Sequence, residues 1–296
     1  MTWTAALALA WPLWATGPEA GAKSAAAARN GGLPVPIPLP SWSQVNPAPL
    51  PPIVRSTLPN GLDVVVARRP RQPVVALNLL IPAGLAHDPP NLPGLAGFVA
   101  DMLRQGTARR SAEAVAEDLE ATGGRLGVSA GVEFTRLSGQ WLSRDLERAV
   151  ELVAEVVTQP AFAAGELERM RPRWVAQARQ AFDDPGELAA RYADHLLYGP
   201  GHPLGRLPDP GPAMAVRRED LVAFHARHYT PRGALLVVAG DVEPDRVLDL
   251  VRRHLGGWEG PSAQGGPPSP QGPAGLMPPA RLAASRVQFV EWPGQT

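Results

Sequence analysis

The sequence predicts an α+β domain with one mostly antiparallel sheet and helices packed mainly on one face. Two observations support this fold class. Strand-like runs come first along the chain, a set of helical patterns follows, and a late apolar strand precedes one last helix. This order is typical of a single sheet whose helices collect on one side. The hydrophobic content of 45% is also enough to form a buried core.

Charge and cysteine content exclude several classes of function. The chain carries 28 basic and 28 acidic residues, whereas a general nucleic-acid-binding protein normally has a basic excess. The sequence contains no cysteine, so disulfides, thiolate catalysis and cysteine-ligated zinc are all excluded. We therefore expect no nucleic-acid partner.

Proline-rich stretches divide the chain into five predicted segments. Residues 1–30 form an apolar leader, residues 31–52 a proline-rich linker, and residues 53–258 a globular domain. Residues 259–282 form a second linker, rich in proline and glycine, and residues 283–296 begin a second domain that is cut short. Such proline-rich stretches are typical of extended linkers, and a lone strand cannot form a domain by itself.

The leader predicts export from the cytoplasm. Residues 4–15 are apolar, but they are fewer than the ~20 residues that a membrane-spanning helix needs. The length fits the apolar region of a secretory signal, and small residues follow it. No lysine or arginine precedes the run, so an Ala-rich leader on a cytoplasmic protein is the alternative. We expect a periplasmic or secreted protein without a membrane span.

Turn and capping residues mark the first elements of the domain. Asn60-Gly61 lies between two strand-like runs, and both residues tolerate the positive φ of a tight hairpin turn. A second β run occupies residues 74–81, and a helix is predicted over residues 93–105. Ser111 is a suitable N-cap for the next helix, at 111–121.

The remaining elements follow from the same periodicities and punctuation by glycine and proline. They are strands at 125–130, 133–142 and 234–239, and helices at 144–158, 164–181, 186–197, 219–228 and 241–256.

Several short motifs occur in a distinctive order along the domain. They are LPNGL at 58–62, GLAGFVADML at 94–103, GT at 106–107, EATGG at 120–124, DDP at 183–185, YG at 198–199, HPLG at 202–205, FHARHYTP at 224–231 and VVAGDV at 237–242. Together they resemble the N-terminal domain of the insulinase/pitrilysin zinc peptidases, a family that includes the mitochondrial-processing peptidases. The resemblance covers about residues 53–258 and implies a LuxS/processing-peptidase-like metallopeptidase fold.

The resemblance implies a zinc-dependent mechanism with four required side chains. In the family, an inverted H-x-x-E-H motif supplies two histidines to the metal and a glutamate as general base, and a distal glutamate completes the site. Residues i and i+4 lie on one face of a helix, so two imidazoles can converge on one metal ion. Zinc then lowers the pKa of its bound water toward ~7 and makes hydroxide available at neutral pH.

None of these four side chains is present in this chain. The two histidine positions correspond to Gly97 and Asp101, the base position to Ala100, and the distal glutamate position to Gln177. Asp101 alone cannot hold a metal, and the neutral amide of Gln177 is a poor zinc ligand. We therefore predict that the catalytic base, the family's zinc site and any other cofactor are absent.

Gly97 has two explanations at this stage. Glycine inside a helix costs ~1 kcal/mol relative to alanine. Its presence indicates either that another backbone packs closely against the helix here, or that the position drifted after its ligand was lost.

The histidines outside this motif have no obvious catalytic grouping. His225 and His228 lie one helical turn apart, but the resemblance places them at a helix end, where such residues pack or cap. We expect a structural role for both. His87-Asp88, His195 and His202 lack a third partner in the sequence and are predicted to lie in loops or on the surface.

A peptide-binding surface can survive the loss of these side chains. The resemblance implies that a substrate peptide adds as a strand beside the strand after the Gly-Gly turn, and this pairing uses backbone hydrogen bonds. The alternative is an edge that is covered or idle. The candidate peptide-binding residues are Gly124, Arg125, Leu126, Gly127, Val128, Ser129 and Ala130.

These observations predict a non-catalytic homologue that works as the partner of an active zinc endopeptidase. Its partners are expected to be a homologous subunit with an intact motif and a peptide or unfolded polypeptide. A stand-alone peptide-binding module and a truncated relic without activity are the alternatives. An active zinc peptidase requires a metal site elsewhere in the chain.

Overall fold

The computed structural model describes residues 51–260, which form a six-stranded sheet in the order β1-β2-β6-β3-β5-β4. All neighbouring strands are antiparallel except the parallel pair β2 and β6. The predicted α+β class with a mostly antiparallel sheet is confirmed. The strands are β1 Ile53–Thr57, β2 Asp63–Arg68, β3 Val74–Ile81, β4 Arg125–Ala130, β5 Thr135–Leu142 and β6 Leu235–Gly240.

Eight α-helices occur within these residues, and none of the described helices has an apolar stretch long enough to cross a bilayer. The helices are α1 Leu95–Met102, α2 Ala112–Ala121, α3 Leu146–Thr158, α4 Ala164–Gln180, α5 Pro185–Tyr198, α6 Gly211–Ala215, α7 Arg218–His228 and α8 Pro244–Leu255.

Alternation along the central strands determines which face of the sheet carries the core. In β3, Val75, Leu77, Leu79 and Ile81 are buried while the residues between them are half-buried. Helices α1, α3 and α8 pack against the sheet. Burial of these branched side chains supplies the main stabilising term, since each fully buried side chain contributes about 1.5–3 kcal/mol.

Most predicted boundaries agree with the structure, and α1 is the main exception. The predicted helix covered residues 93–105, but α1 begins only after Gly94, which has a left-handed backbone with φ of +90°. Gly106, at φ +101°, follows its other end. The short helix α6 was not predicted, because five residues are too few to show a helical periodicity. The predictions for residues 1–30 and 283–296, and for nearly all of both linkers, lie outside the described residues.

A buried ionic network joins α2 and α3. Arg110 Nη1 lies 2.7 Å from Asp118 Oδ2, and Arg110 Nε lies 3.4 Å from Glu155 Oε2. Arg148 also pairs with Asp118, and the Thr107 hydroxyl donates to Glu155. The Asp118 and Glu155 side chains are only 5% and 4% exposed. Glu155 therefore depends on the Arg110 guanidinium for charge compensation, and Asp118 shares it with Arg148.

We expect Arg110→Met to lower the free energy of unfolding by about 3 kcal/mol, because it leaves the buried Glu155 carboxylate without a cationic partner. Urea unfolding measures this change. Arg252→Met is the matched control: Arg252 pairs with Asp249, both side chains are mostly exposed, and the expected change stays within about 1 kcal/mol. Equal effects of the two substitutions would contradict the importance of the network.

Candidate functional site

Asp88 positions the helix that carries three of the four predicted site residues. Its side chain is fully buried. Asp88 Oδ2 accepts from Gly94 N at 2.7 Å, and Oδ1 accepts from Ala96 N at 2.8 Å. Arg206 Nη1 donates to Oδ2 at 3.0 Å. Asp88 lies in a loop, as predicted, but its buried carboxylate caps the start of α1, a role that the sequence did not indicate.

Burial raises the pKa of Asp88 above its ordinary value, although the N–H groups of Ala96 and Gly94 and the Arg206 guanidinium act in the opposite direction. The carboxylate therefore depends on these donors to remain charged at its buried position.

Gly97 and Ala100 lie on α1 as predicted, and neither contributes a donor atom. A Cβ added at Gly97 would meet no atom within 4 Å. Close packing of another backbone is therefore excluded as the reason for this glycine, and its neighbourhood is open. Ala100 is buried, with 1% exposure. The base position is thus filled by a methyl group that packs in the core.

The carboxylate of Asp101 is engaged by a residue that the sequence did not indicate. Trp174, on α4, donates from Nε1 to Asp101 Oδ2 at 2.7 Å. The indole is 3% exposed, and its ring centroid lies 4.6 Å from that of Phe98. Asp101 therefore joins α1 to α4 through a largely buried hydrogen bond.

Gln177 lies on α4, is exposed and lines an open cleft of about 430 Å³. No α1 residue lines this cleft; its other lining residues are Gln180, Ala181, Asp183, Asp184, Glu187 and Arg191. Asp184 caps α5 by accepting from Gly186 N and Glu187 N, and Glu187 pairs with Arg191. The acidic groups are thus used locally.

The residues at the four motif positions do not fit a zinc ion. Two of them have no donor atom, the third is a neutral amide, and the fourth is a carboxylate already bonded to an indole N–H. Within residues 51–260, no three histidine, aspartate or glutamate side chains are grouped so that they could hold a metal. No catalytic step through zinc can be derived for this position.

His225 and His228 face different neighbours. His225 Nε2 lies 2.7 Å from the Val157 carbonyl, so this nitrogen must carry the hydrogen, and the ring stacks on Tyr229. The ring of His228 packs 4.6 Å from Phe224 and 4.8 Å from His87. Both histidines therefore pack and bond within the domain, and they do not converge on one point.

His195 and His202 organise the turn that carries Arg206. His195 Nδ1 lies 2.6 Å from the Gly205 carbonyl, and His202 Nδ1 accepts from Leu204 N at 3.1 Å. These local bonds hold the turn in a conformation in which the Arg206 guanidinium can donate to Asp88.

Strand β4, the predicted peptide-binding strand, lies at one edge of the sheet. Gly131 N donates to Phe134 O at 2.8 Å, which makes this a hydrogen-bonded pair at the turn into β5. Hydrogen-bonded and non-bonded pairs alternate along antiparallel strands. From the register, Leu126, Val128 and Ala130 therefore turn their backbone groups away from β5.

Packing of Trp141 explains two glycines at the start of this strand pair. A Cβ on Gly124 would lie 2.1 Å from Trp141 Nε1, and one on Gly139 would lie 2.2 Å from Trp141 Cη2. Gly124 is therefore required to admit the indole beneath β4.

Arg104 is the one described side chain that bonds to the main chain of β4. It follows α1 directly, and its Nη1 donates to the Leu126 carbonyl at 2.9 Å. The sequence analysis did not single it out. Its position directly after the GLAGFVADML motif was the one feature of the sequence that could have drawn attention to it.

Comparison with known proteins decides the family. The sequence model of the insulinase family, peptidase family M16, matches residues 63–196. The model of the peptidase M16 inactive domain matches residues 215–282, the last of which lie beyond the described residues. The chain belongs to the M16 family.

Several of its relatives are named as zinc proteases. An uncharacterized zinc protease of Mycobacterium tuberculosis is 34% identical over 221 residues, which are 74% of this chain and 50% of that protein. The chain spans about half the length of the curated relatives it matches.

Two solved structures share the fold. The peptidase M16 inactive domain from Pseudomonas fluorescens has a TM-score of 0.63 at 28% identity, covering 67% of this chain and 49% of that one. The periplasmic protease PqqL from Escherichia coli has a TM-score of 0.63 at 21% identity, covering 72% and 24%.

The contact between His87 and His228 predicts a loss of stability in mild acid. Burial, the neighbouring His87 and Arg227 together lower the pKa of His228 to about 4, and burial also lowers the pKa of His87. The unfolded chain binds these protons near pH ~6.5. The stabilising contribution is therefore complete above that pH and is lost as the pH falls from ~6.5 toward about 4.

We expect the urea midpoint of unfolding to decrease between about pH 7 and about pH 5, and His228→Gln to reduce this decrease. An unchanged pH dependence in His228→Gln would show that other groups control the effect.

Proposed function

We propose that this chain is a non-catalytic M16 subunit that binds peptides and pairs with a catalytically active homologue. One observation carries the proposal: α1 is firmly anchored by Asp88 while none of the four motif positions supplies a usable zinc ligand or base. Gly97 and Ala100 have no donor, Asp101 bonds to Trp174, and Gln177 is exposed elsewhere on α4.

The retained framework supports a binding role for this domain. The buried Asp88 carboxylate holds the start of α1, and the Trp141 side chain packs against Gly124 and Gly139 under β4. Both arrangements keep the framework of the domain intact, since an unpaired buried charge or a side chain in place of either glycine would destabilise it.

The β4 edge is the surface that contacts the peptide. Val128 and Ala130 turn their backbone groups outward, and no described side chain bonds to them there. An extended peptide can pair with this edge through main-chain hydrogen bonds alone. The chain would then help to enclose a peptide that the active subunit cleaves.

We propose export to the periplasm as the setting for this partnership. The apolar leader at residues 4–15 supports it, and the E. coli relative of the same fold is a periplasmic protease. The leader lies outside the described residues.

Co-expression with a motif-intact M16 homologue from the same genome tests the partnership. We expect the two chains to co-purify with about one zinc per pair, because only the partner supplies ligands. This chain alone should contain no stoichiometric zinc and should show no chelator-sensitive peptidase activity.

Two variants sharpen this experiment. Replacing the partner's motif glutamate should abolish cleavage by the pair, whereas Asp101→Asn in this chain should leave cleavage unchanged. Absence of any association would remove the partner role, and a stable monomer that still binds peptide would favour a stand-alone binding module. Stoichiometric zinc with chelator-sensitive cleavage by this chain alone would contradict the proposal.

Peptide pairing at β4 predicts a specific effect of proline. We expect Val128→Pro to weaken binding of an extended peptide by about tenfold or more, because it removes an outward-facing N–H from the edge. Fluorescence anisotropy with a labelled strand-forming peptide measures this affinity. Val128→Thr keeps the N–H and is the matched control, with affinity close to that of the unaltered chain. Equal affinities for both variants would exclude pairing at this edge.

A further inference from the structure

A cleft lies between the start of α2, the residues after α1 and the first turns of α4. It has a volume of about 300 Å³. Its apolar wall is formed along α2 by Val115, Ala116 and Leu119, and Arg104 is one of its polar lining residues. The remaining lining residues are Gln105, Ala112, Glu113 and Arg169. Because Arg104 also bonds to Leu126, this cleft adjoins the β4 edge.

The charged side chains of the cleft differ in whether they already have hydrogen-bond or ion-pair partners within the domain. Arg169 donates to Gln105 Oε1 at 2.9 Å and pairs with Glu166. The Glu113 N–H and the Ser111 hydroxyl lower the pKa of Glu113, so this carboxylate is engaged at the start of its own helix. Arg104, in contrast, is exposed and forms no ion pair with any described acidic residue.

The bond from Arg104 to Leu126 occupies a group that an incoming strand needs. The Leu126 carbonyl is one of the outward-facing acceptors of β4, and Arg104 Nη1 covers it. An unpaired strand edge invites non-specific pairing, and a charged side chain across it opposes this. A peptide that pairs along the whole edge must displace the guanidinium and give it a new acceptor.

We propose that Arg104 and its cleft form a specificity pocket for an acidic side chain, aspartate or glutamate, of an extended peptide bound to β4. This inference rests on the proposed peptide-binding function of the same edge. A carboxylate accepts two parallel N–H bonds from a guanidinium, and such charge-assisted bonds are roughly twice as strong as neutral ones. A neutral side chain at the same position offers no charged acceptor, so the displaced guanidinium would bond mainly to water.

Peptide binding by the full chain tests the proposal. The probes are labelled strand-forming peptides that differ only at one central residue, which is glutamate, glutamine or lysine. Fluorescence anisotropy at neutral pH should give an affinity about tenfold higher for the glutamate peptide than for the glutamine peptide. High salt should reduce this preference, because the cleft is open to solvent.

Three variants assign the preference to Arg104. Arg104→Leu should remove it while the glutamine peptide binds at least as tightly as before, since the Leu126 carbonyl becomes free. Arg104→Glu should reverse the preference in favour of the lysine peptide. Arg173→Leu, at an exposed position of α4 outside the cleft, is the control and should leave the preference unchanged.

The outcomes separate this proposal from the one on which it rests. Equal affinity of the unaltered chain for the glutamate and glutamine peptides would overturn the acidic pocket and leave pairing at β4 intact. A preference that persists in Arg104→Leu would overturn the assignment to Arg104. No binding of any peptide, to the unaltered chain or to Arg104→Leu, would overturn both proposals together.

Discussion

The buried carboxylate of Asp88 couples α1 to the turn at 199–206. It accepts hydrogen bonds from the first turn of α1 and from Arg206, and no part of its side chain is exposed. A buried charge is stable only while its partners remain in place. The position of α1 against β4 is therefore coupled to the turn that His195 and His202 organise. Every candidate site residue on α1 inherits its position from this contact.

With α1 held in this way, Asp101 and Phe98 on α1 form a packing contact with Trp174 on α4. The Trp174 indole from α4 reaches Asp101 and lies against Phe98, so the only charged group at these positions joins two elements of the fold. One carboxylate oxygen is occupied by a buried indole N–H, and the other oxygen alone cannot hold a metal ion. The contact therefore favours a structural role for Asp101.

Local pattern was sufficient to predict most of the fold but only part of the site. Strands β3 and β4 agree with their predicted bounds, because β-branched runs and glycine turns are local signals. The loss of ligands at Gly97 and Ala100 was equally readable, since it depends on residue identity alone. The bonds Trp174–Asp101 and Arg104–Leu126 join residues far apart in sequence. Which side chain reaches across an interface depends on packing, and no periodicity records it.

Zinc catalysis and strand addition place different demands on a domain of this fold. Zinc catalysis needs particular side chains at particular positions of α1, and single substitutions remove it. Strand addition needs only an exposed run of N–H and C=O groups, and the sheet supplies these on β4 whatever α1 carries. The proposed peptide role therefore does not depend on the motif positions. Arg104 lies just after the same helix and covers the Leu126 carbonyl, where the proposed pocket would meet an acidic side chain.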